Sequence, residues 1–165
     1  MNSPARTVQA AIAFIASDRG DALYDLIDEE SLQQWRAWHL AVARNSGGTV
    51  AQTAVEDSLR RFGTTTPSAL EKLNDRELVR RSIASLPRLK ATLRIEIVAT
   101  VPITPSTVAV EFIPFWTGAK QGLNRRTMVL RQRGLRWRIL ASPTSPWVVT
   151  GFENILMTDA TDSGA

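Results

Sequence analysis

The chain contains no cysteine, which excludes disulfides, thiol nucleophiles and cysteine metal sites. No segment approaches the ~20 consecutive apolar residues that a membrane helix needs. Residues 1–6 also lack the basic segment and the long apolar run of a signal peptide. We therefore expect a cytoplasmic protein, and peripheral attachment at a membrane stays open. A chain of 165 residues is long enough to fold around a single core without disulfides.

Sequence motifs for several common catalytic chemistries are also missing. The chain has no Gly-x-x-x-x-Gly-Lys-Ser/Thr phosphate loop, no Gly-x-Ser-x-Gly elbow and no His-Glu-x-x-His helix. Nucleotide hydrolysis by a P-loop, serine hydrolysis and zinc proteolysis are thus unsupported. His39 is the single histidine, and one histidine without cysteine makes no persuasive metal site. We expect neither a metal nor a cofactor.

Acidic residues are scarce in the second half of the chain. Residues 1–86 carry 10 basic and 11 acidic residues, whereas residues 87–152 carry 10 basic residues against Glu96 and Glu111 only. Eight of those 10 basic residues are arginine, whose planar guanidinium makes bidentate contacts with carboxylates and phosphates. The net charge of +4 therefore conceals a strongly cationic second half.

Helical patterns occupy the chain as far as residue 86. Ser3 followed by Pro4 is typical of a helix start, and Asp21 is predicted to cap a second helix. Asn74 and Glu77 have the spacing of a capping box, in which each side chain satisfies a backbone N–H near the other. Trp35 and Trp38 lie three apart on one predicted helix, and we expect both to fill the space between helix and sheet.

Strand-like patterns follow from residue 89. Apolar residues alternate with polar ones over residues 89–97 and again over 108–112, with a turn predicted at residues 102–106. Residues 125–141 predict a tight hairpin about Gly134. We predict one α+β domain over residues 1–146, in which N-terminal helices pack on a curved antiparallel sheet of about four strands. The apolar tail, residues 147–165, is predicted to pack back on this domain or on a partner.

Two patches resemble a known superfamily. Gly20-Asp21-Ala22-Leu23 followed by Leu26-Ile27, and Leu135-Arg136-Trp137-Arg138-Ile139, resemble the short second helix and the last strand of the nuclear transport factor 2-like superfamily, which includes ketosteroid isomerase. The resemblance implies an α+β cone. Many members place a β-hairpin between the second and third helices, whereas residues 30–86 here are predicted to be helical. A partial cone is therefore expected.

The resemblance also implies candidate catalytic residues. Isomerases, cyclases and epoxide hydrolases that resemble this group use carboxylates inside the cone as bases. Glu96 and Glu111 are the candidate bases here, with Tyr24 or His39 assisting. Strand alternation, however, places both glutamates opposite the apolar face, where ion pairs with neighbouring arginines are the expected role. An isomerase, cyclase or epoxide hydrolase acting on a small-molecule ligand is thus the alternative hypothesis.

The favoured hypothesis is a non-catalytic accessory subunit that docks through a basic sheet face. Its partner is predicted to be an acidic protein surface or a membrane-associated complex, with a homodimer also open. Nucleic acid is less favoured, because the hairpin lacks an exposed pair of stacking aromatic residues. The candidate binding residues are Arg94, Arg125, Arg126, Arg131, Arg133, Arg136, Arg138, Trp147 and Phe152.

Overall fold

The computed structural model describes residues 3–85, 93–116, 118, 120–122 and 125–141, with six helices followed by four strands. The predicted boundary after residue 146 and the apolar tail, including Trp147 and Phe152, lie outside the described residues. The elements are α1 (Pro4–Ala16), α2 (Gly20–Tyr24), α3 (Glu29–Arg44), α4 (Gln52–Arg61), α5 (Pro67–Glu71), α6 (Asp75–Ala84), β1 (Leu93–Thr104), β2 (Thr107–Trp116), β3 (Arg126–Arg133) and β4 (Arg136–Ile139).

Local capping signals explain most of the helix starts. The Ser3 side chain accepts a hydrogen bond from the Arg6 N–H, and Asn74 accepts one from the Glu77 N–H, as predicted. The return contact of the capping box was predicted wrongly, because the Glu77 carboxylate binds two arginines of α6 instead. The Asp21 prediction was also wrong. α2 begins one residue earlier, at Gly20, without a side-chain cap.

The region between α2 and the sheet is helical, as predicted, and contains no strand within residues 30–85. α5 was missed, although Thr66 before Pro67 is a standard helix start and the Thr66 hydroxyl accepts from the Ala69 N–H. α3 makes its main contacts with α4, α5 and α6. Trp35 is accordingly buried between helices, against Phe62, rather than against the sheet. Trp38 is 45% exposed, so its predicted core role was wrong.

The four strands form one antiparallel, curved and unclosed sheet in the order β1-β2-β3-β4, which confirms the predicted fold class. β1 continues through Pro102 to Thr104, and the turn consists of Pro105 and Ser106 alone. Our prediction began the turn too early, at Pro102, because proline usually interrupts a strand. Pro102 is tolerated since β1 is an edge strand and the pairing is irregular between Pro102 and Thr104.

The core lies between α1 and one face of the sheet. α1 presents its apolar stripe to the sheet, with β1 as its main neighbouring strand, and the alternate residues of β2, β3 and β4 belong to the same core cluster. These side chains are all buried and belong to one hydrophobic cluster. Members of this cluster include Val8, Ala11, Ile12 and Ile15 from α1 and Val108, Val110, Phe112, Met128, Leu130 and Ile139 from the sheet.

A close crossing of α2 and α6 depends on Gly20. A Cβ atom at this position would lie 2.6 Å from the Cα atom of Arg80, too close for a carbon next to backbone. We expect Gly20→Ala to lower the free energy of unfolding by about 1–3 kcal/mol, as overpacking typically does. Urea titration measures this loss. Gly47→Ala is the control, since its Cβ would meet only ordinary contacts, and equal stability of the two variants would contradict the close crossing.

Candidate functional site

The β3–β4 hairpin places four arginines on one face of the sheet. Its turn consists of Gly134 and Leu135, and Gly134 has the positive φ of +60° that two-residue hairpin turns favour. Because Leu130 and Ile139 are paired on the core face, alternation turns the arginines to the opposite face. The register pairs arginine with arginine at two positions. We call these residues the arginine quartet: Arg131 opposite Arg138, and Arg133 opposite Arg136.

Two acids at the start of α3 neutralise half of this quartet. The Nε atom of Arg133 donates to Asp28 Oδ1 at 2.8 Å, and its Nη2 atom donates to Glu30 Oε2 at 2.9 Å. Arg131 Nη1 lies 3.1 Å from the same Glu30 oxygen and 3.9 Å from Asp28 Oδ2. Like charges placed directly across a strand pair repel each other, and these carboxylates offset the repulsion.

Asp28 is the buried member of this cluster, with its side chain only 2% exposed. It caps α3 by accepting the Ser31 N–H. Burial alone would raise the pKa of Asp28, but the hydrogen bonds from Arg133 and Ser31 and the two arginine charges outweigh it and lower the pKa. The carboxylate is therefore ionised at neutral pH and serves as the fixed counter-charge of Arg133.

Backbone pairing holds these acids beside the hairpin. Ile27 forms a parallel bridge with Ile139, in which the Asp28 N–H donates to the Ile139 carbonyl and the Ile139 N–H donates to the Leu26 carbonyl, each at 2.8 Å. The Ala141 N–H donates to the Ser31 hydroxyl at 2.8 Å. The link between α2 and α3 thus extends the sheet beyond β4.

The other half of the quartet has no acidic partner among the described residues. Arg136 is exposed and Arg138 is partly buried, and no ion pair involves either of them in the described ranges. Arg138 lines a cleft of about 550 Å³ together with Asp28, Glu29, Glu30, Gln33 and Arg133. Leu135, at the tip of the hairpin, is 89% exposed. The hairpin therefore combines an exposed apolar residue with two cations that lack an acidic partner in the described part of the chain.

The remaining arginines of the predicted basic face have other environments. Arg94 lies 3.6 Å from Glu96 and stacks over the ring of Phe115 at 4.2 Å. Arg125 pairs with Glu111 at 3.2 Å. Arg126 aligns with the core-facing residues of β3, and its Nε atom is buried. Of the six arginines predicted in the hairpin region, only the quartet forms one surface.

The candidate catalytic residues do not converge. Glu96 and Glu111 lie on the face away from the helices and pair with arginines, as their alternation predicts. Tyr24 is partly buried on α2, beneath the guanidinium of Arg76 at 4.4 Å. His39 lies on α3, among the helices. The described structure therefore brings neither glutamate together with Tyr24 or His39.

His39 is buried in an aromatic environment among the helices. It is 3% exposed and contacts the rings of Trp35, Trp38 and Phe62 edge-on at 4.8–4.9 Å. Its Nδ1 atom lies 3.0 Å from the Ser58 hydroxyl, and its buried Nε2 atom has no hydrogen-bond partner among the described residues. Burial, assisted by the charge of Arg61, lowers the pKa of His39 from 6.5 to about 3. The imidazole is neutral at pH 7 and closed to substrate.

Sequence reasoning found the quartet but missed Asp28 and Glu30. Asp28 could be recognised from the sequence as a helix cap, because it precedes Glu29, Glu30 and Ser31. A helix cap predicts where a helix starts, but it does not predict that the capping carboxylate will bind an arginine of the hairpin.

Among the described residues, no group of three or more potential ligands could hold a metal ion. Within the same ranges, no helix combines the length and apolar character needed to cross a bilayer.

Comparisons of the chain and its fold with protein-family models, curated proteins and solved structures returned no match. The assignment of function therefore depends on the geometry of the hairpin and of the acids beside it.

Proposed function

We propose that the protein is a non-catalytic accessory subunit that docks through the β3–β4 hairpin on an acidic surface of a partner protein and stabilises the resulting complex. The observation that carries this proposal is the division of the quartet. Arg131 and Arg133 are paired internally, whereas Arg136 and Arg138 have no acidic partner in the described ranges. Arginines without an acidic partner in these ranges have the composition of a docking site, since arginine is enriched among the residues that dominate interface energies. The exposed Leu135 beside them adds apolar area.

The mixture of acidic and basic residues in the cleft favours a protein as the partner over a nucleic acid or an anionic membrane. Asp28, Glu29 and Glu30 border the arginines in the same cleft. A nucleic acid or an anionic bilayer presents continuous negative charge and would be repelled by these acids. A protein surface can alternate carboxylates and cations so that each charge of the cleft meets its opposite. A protein within a membrane-associated complex and a second copy of this chain remain the predicted partner classes.

The relationship to the nuclear transport factor 2-like superfamily also remains a proposal. Helices preceding a curved, unclosed antiparallel sheet support it. The enzyme alternative needs a carboxylate that faces an enclosed cavity, and neither Glu96 nor Glu111 faces the core cluster. Asp28 is buried, but its lowered pKa makes it a poor proton acceptor at neutral pH. The docking hypothesis is therefore the better supported of the two.

Charge reversal within the hairpin tests the proposal. The tagged protein is recovered from its native source at low salt, and the yield of co-purifying protein is quantified. We expect Arg136→Glu and Arg138→Glu each to reduce the yield about tenfold or more, because each replaces an attraction by a repulsion at the interface. Arg126 is unsuitable for this test, since its Nε atom is buried.

Arg6→Glu is the matched control for these variants. Arg6 is exposed on α1, and only its backbone N–H makes a hydrogen bond in the described structure. The reversal changes the net charge equally, and a glutamate in the first turn of a helix is favourable. Circular dichroism confirms folding of each variant. An unchanged yield with folded Arg136→Glu and Arg138→Glu would refute docking through the hairpin.

A further inference from the structure

Arg133 is held by two carboxylates of different kinds. Asp28 binds it from the buried side and is fixed as the cap of α3. Glu30 binds it from the solvent side and is itself 64% exposed. Glu30 can therefore leave the arginines while Asp28 keeps the helix start and the counter-charge of Arg133 in place.

The cleft beside Glu30 offers a position for a second carboxylate. Arg138 and Arg133 line it from the hairpin, and Glu29, Glu30 and Gln33 line it from α3. A carboxylate that enters the cleft finds Arg138 without an acidic partner among the described residues. Binding both Arg138 and Arg133 would bring it into the place that the Glu30 carboxylate now occupies.

We propose that this cleft binds a carboxylate side chain of the partner and that Glu30 is its internal competitor. The incoming group pairs with Arg138 and displaces Glu30 from Arg131 and Arg133. Exposed ion pairs contribute little individually, so breaking the pairs of Glu30 costs little free energy. The inference rests on the proposed docking function and adds to it the chemistry of the bound group and the residue that limits its affinity.

Glu29 provides a matched control for Glu30. It is the neighbouring residue, is exposed, lines the same cleft and carries the same charge. In contrast to Glu30, it makes no ion pair in the part of the chain that the structure describes. Neutralising either glutamate changes the electrostatic potential at the cleft similarly. Only the loss of the Glu30 charge releases Arg131 and Arg133 from an ion pair.

The probe is a fluorescein-labelled peptide in which glutamates alternate with lysines, titrated by anisotropy at low salt with the full chain. We expect Glu30→Gln to bind the probe about three- to fivefold more tightly than Glu29→Gln, the gain expected from releasing surface ion pairs. In the Arg133→Gln background, the advantage of Glu30→Gln over Glu29→Gln should shrink to less than about twofold, because the arginine for which Glu30 and the incoming carboxylate compete is gone.

Each outcome of this titration decides a different point. Equal affinities of Glu30→Gln and Glu29→Gln, or an advantage that Arg133→Gln leaves intact, would overturn the competitor role. If Arg138→Glu still weakened binding in that case, docking through the hairpin would stand. Absence of peptide binding by every variant, or tighter binding to phosphatidylserine vesicles than to the peptide, would overturn both the carboxylate site and the acidic-protein partner.

Discussion

Acidification from neutral pH to about pH 3 is expected to remove about 4 kcal/mol of folding free energy through His39 alone. Burial holds the pKa of His39 at about 3 in the folded protein, whereas an unfolded chain titrates near 6.5. Below pH 6.5 the unfolded state therefore binds a proton that the folded state does not. The stabilisation is complete above pH 6.5 and decreases by about 1.4 kcal/mol per pH unit as the pH falls toward 3.

The range between pH 6.5 and 4.5 isolates this contribution. Asp28 and Glu77 also have lowered pKa values, but their contributions are lost only as the pH falls below the usual values of 3.8 and 4.5. Urea titrations across this range measure the slope, and His39→Gln, which cannot titrate, is the control. We expect a sloping profile for the wild type and a nearly flat one for the variant. A flat wild-type profile would contradict the burial of His39.

Phe112→Ala is expected to lower the free energy of unfolding by about 3–5 kcal/mol. Phe112 is fully buried on the core face of β2, and β1 and β3 flank its strand. Truncation would leave a cavity within the contact between the sheet and α1. If this face instead lined an open ligand cavity, the loss would be much smaller, because the removed ring would have had few neighbours.

Trp38→Ala is the control for this prediction. Tryptophan is the larger side chain, but Trp38 is 45% exposed on α3. We expect its truncation to cost under about 1 kcal/mol, as for most surface substitutions. Urea titration of both variants gives the two losses. Similar losses for Phe112→Ala and Trp38→Ala would contradict a filled interior as the basis of the fold.

Local signals in the sequence predicted much of the fold. The Ser3 and Asn74 caps and the Gly134 turn depend on neighbouring residues, and all three were predicted correctly. Trp38 was assigned wrongly because the buried stripe of α3 is narrow and follows Leu32, Trp35 and His39, so that a residue at its margin faces water. Spacing alone does not show where such a stripe ends.

The candidate site was only half predictable. Strand alternation accounts for the position of Arg131 and Arg133 on one face, since that property depends on adjacent residues. Their pairing with Asp28 and Glu30 joins positions about 100 residues apart. This contact depends on the parallel bridge between Ile27 and Ile139, for which the sequence shows no pattern. The basic face of the folded protein is therefore smaller than the number of arginines in the sequence suggests.

Recovery of the wild-type protein from its native source in gentle detergent and at low salt tests the docking function most directly. Mass spectrometry identifies the co-purifying protein and its stoichiometry, and a step to raised salt tests whether charges hold the complex together. We expect a stoichiometric partner with an acidic surface, released by salt and not recovered with Arg138→Glu. An isolated chain, or a partner recovered equally with Arg138→Glu and unaffected by salt, would contradict docking through the hairpin.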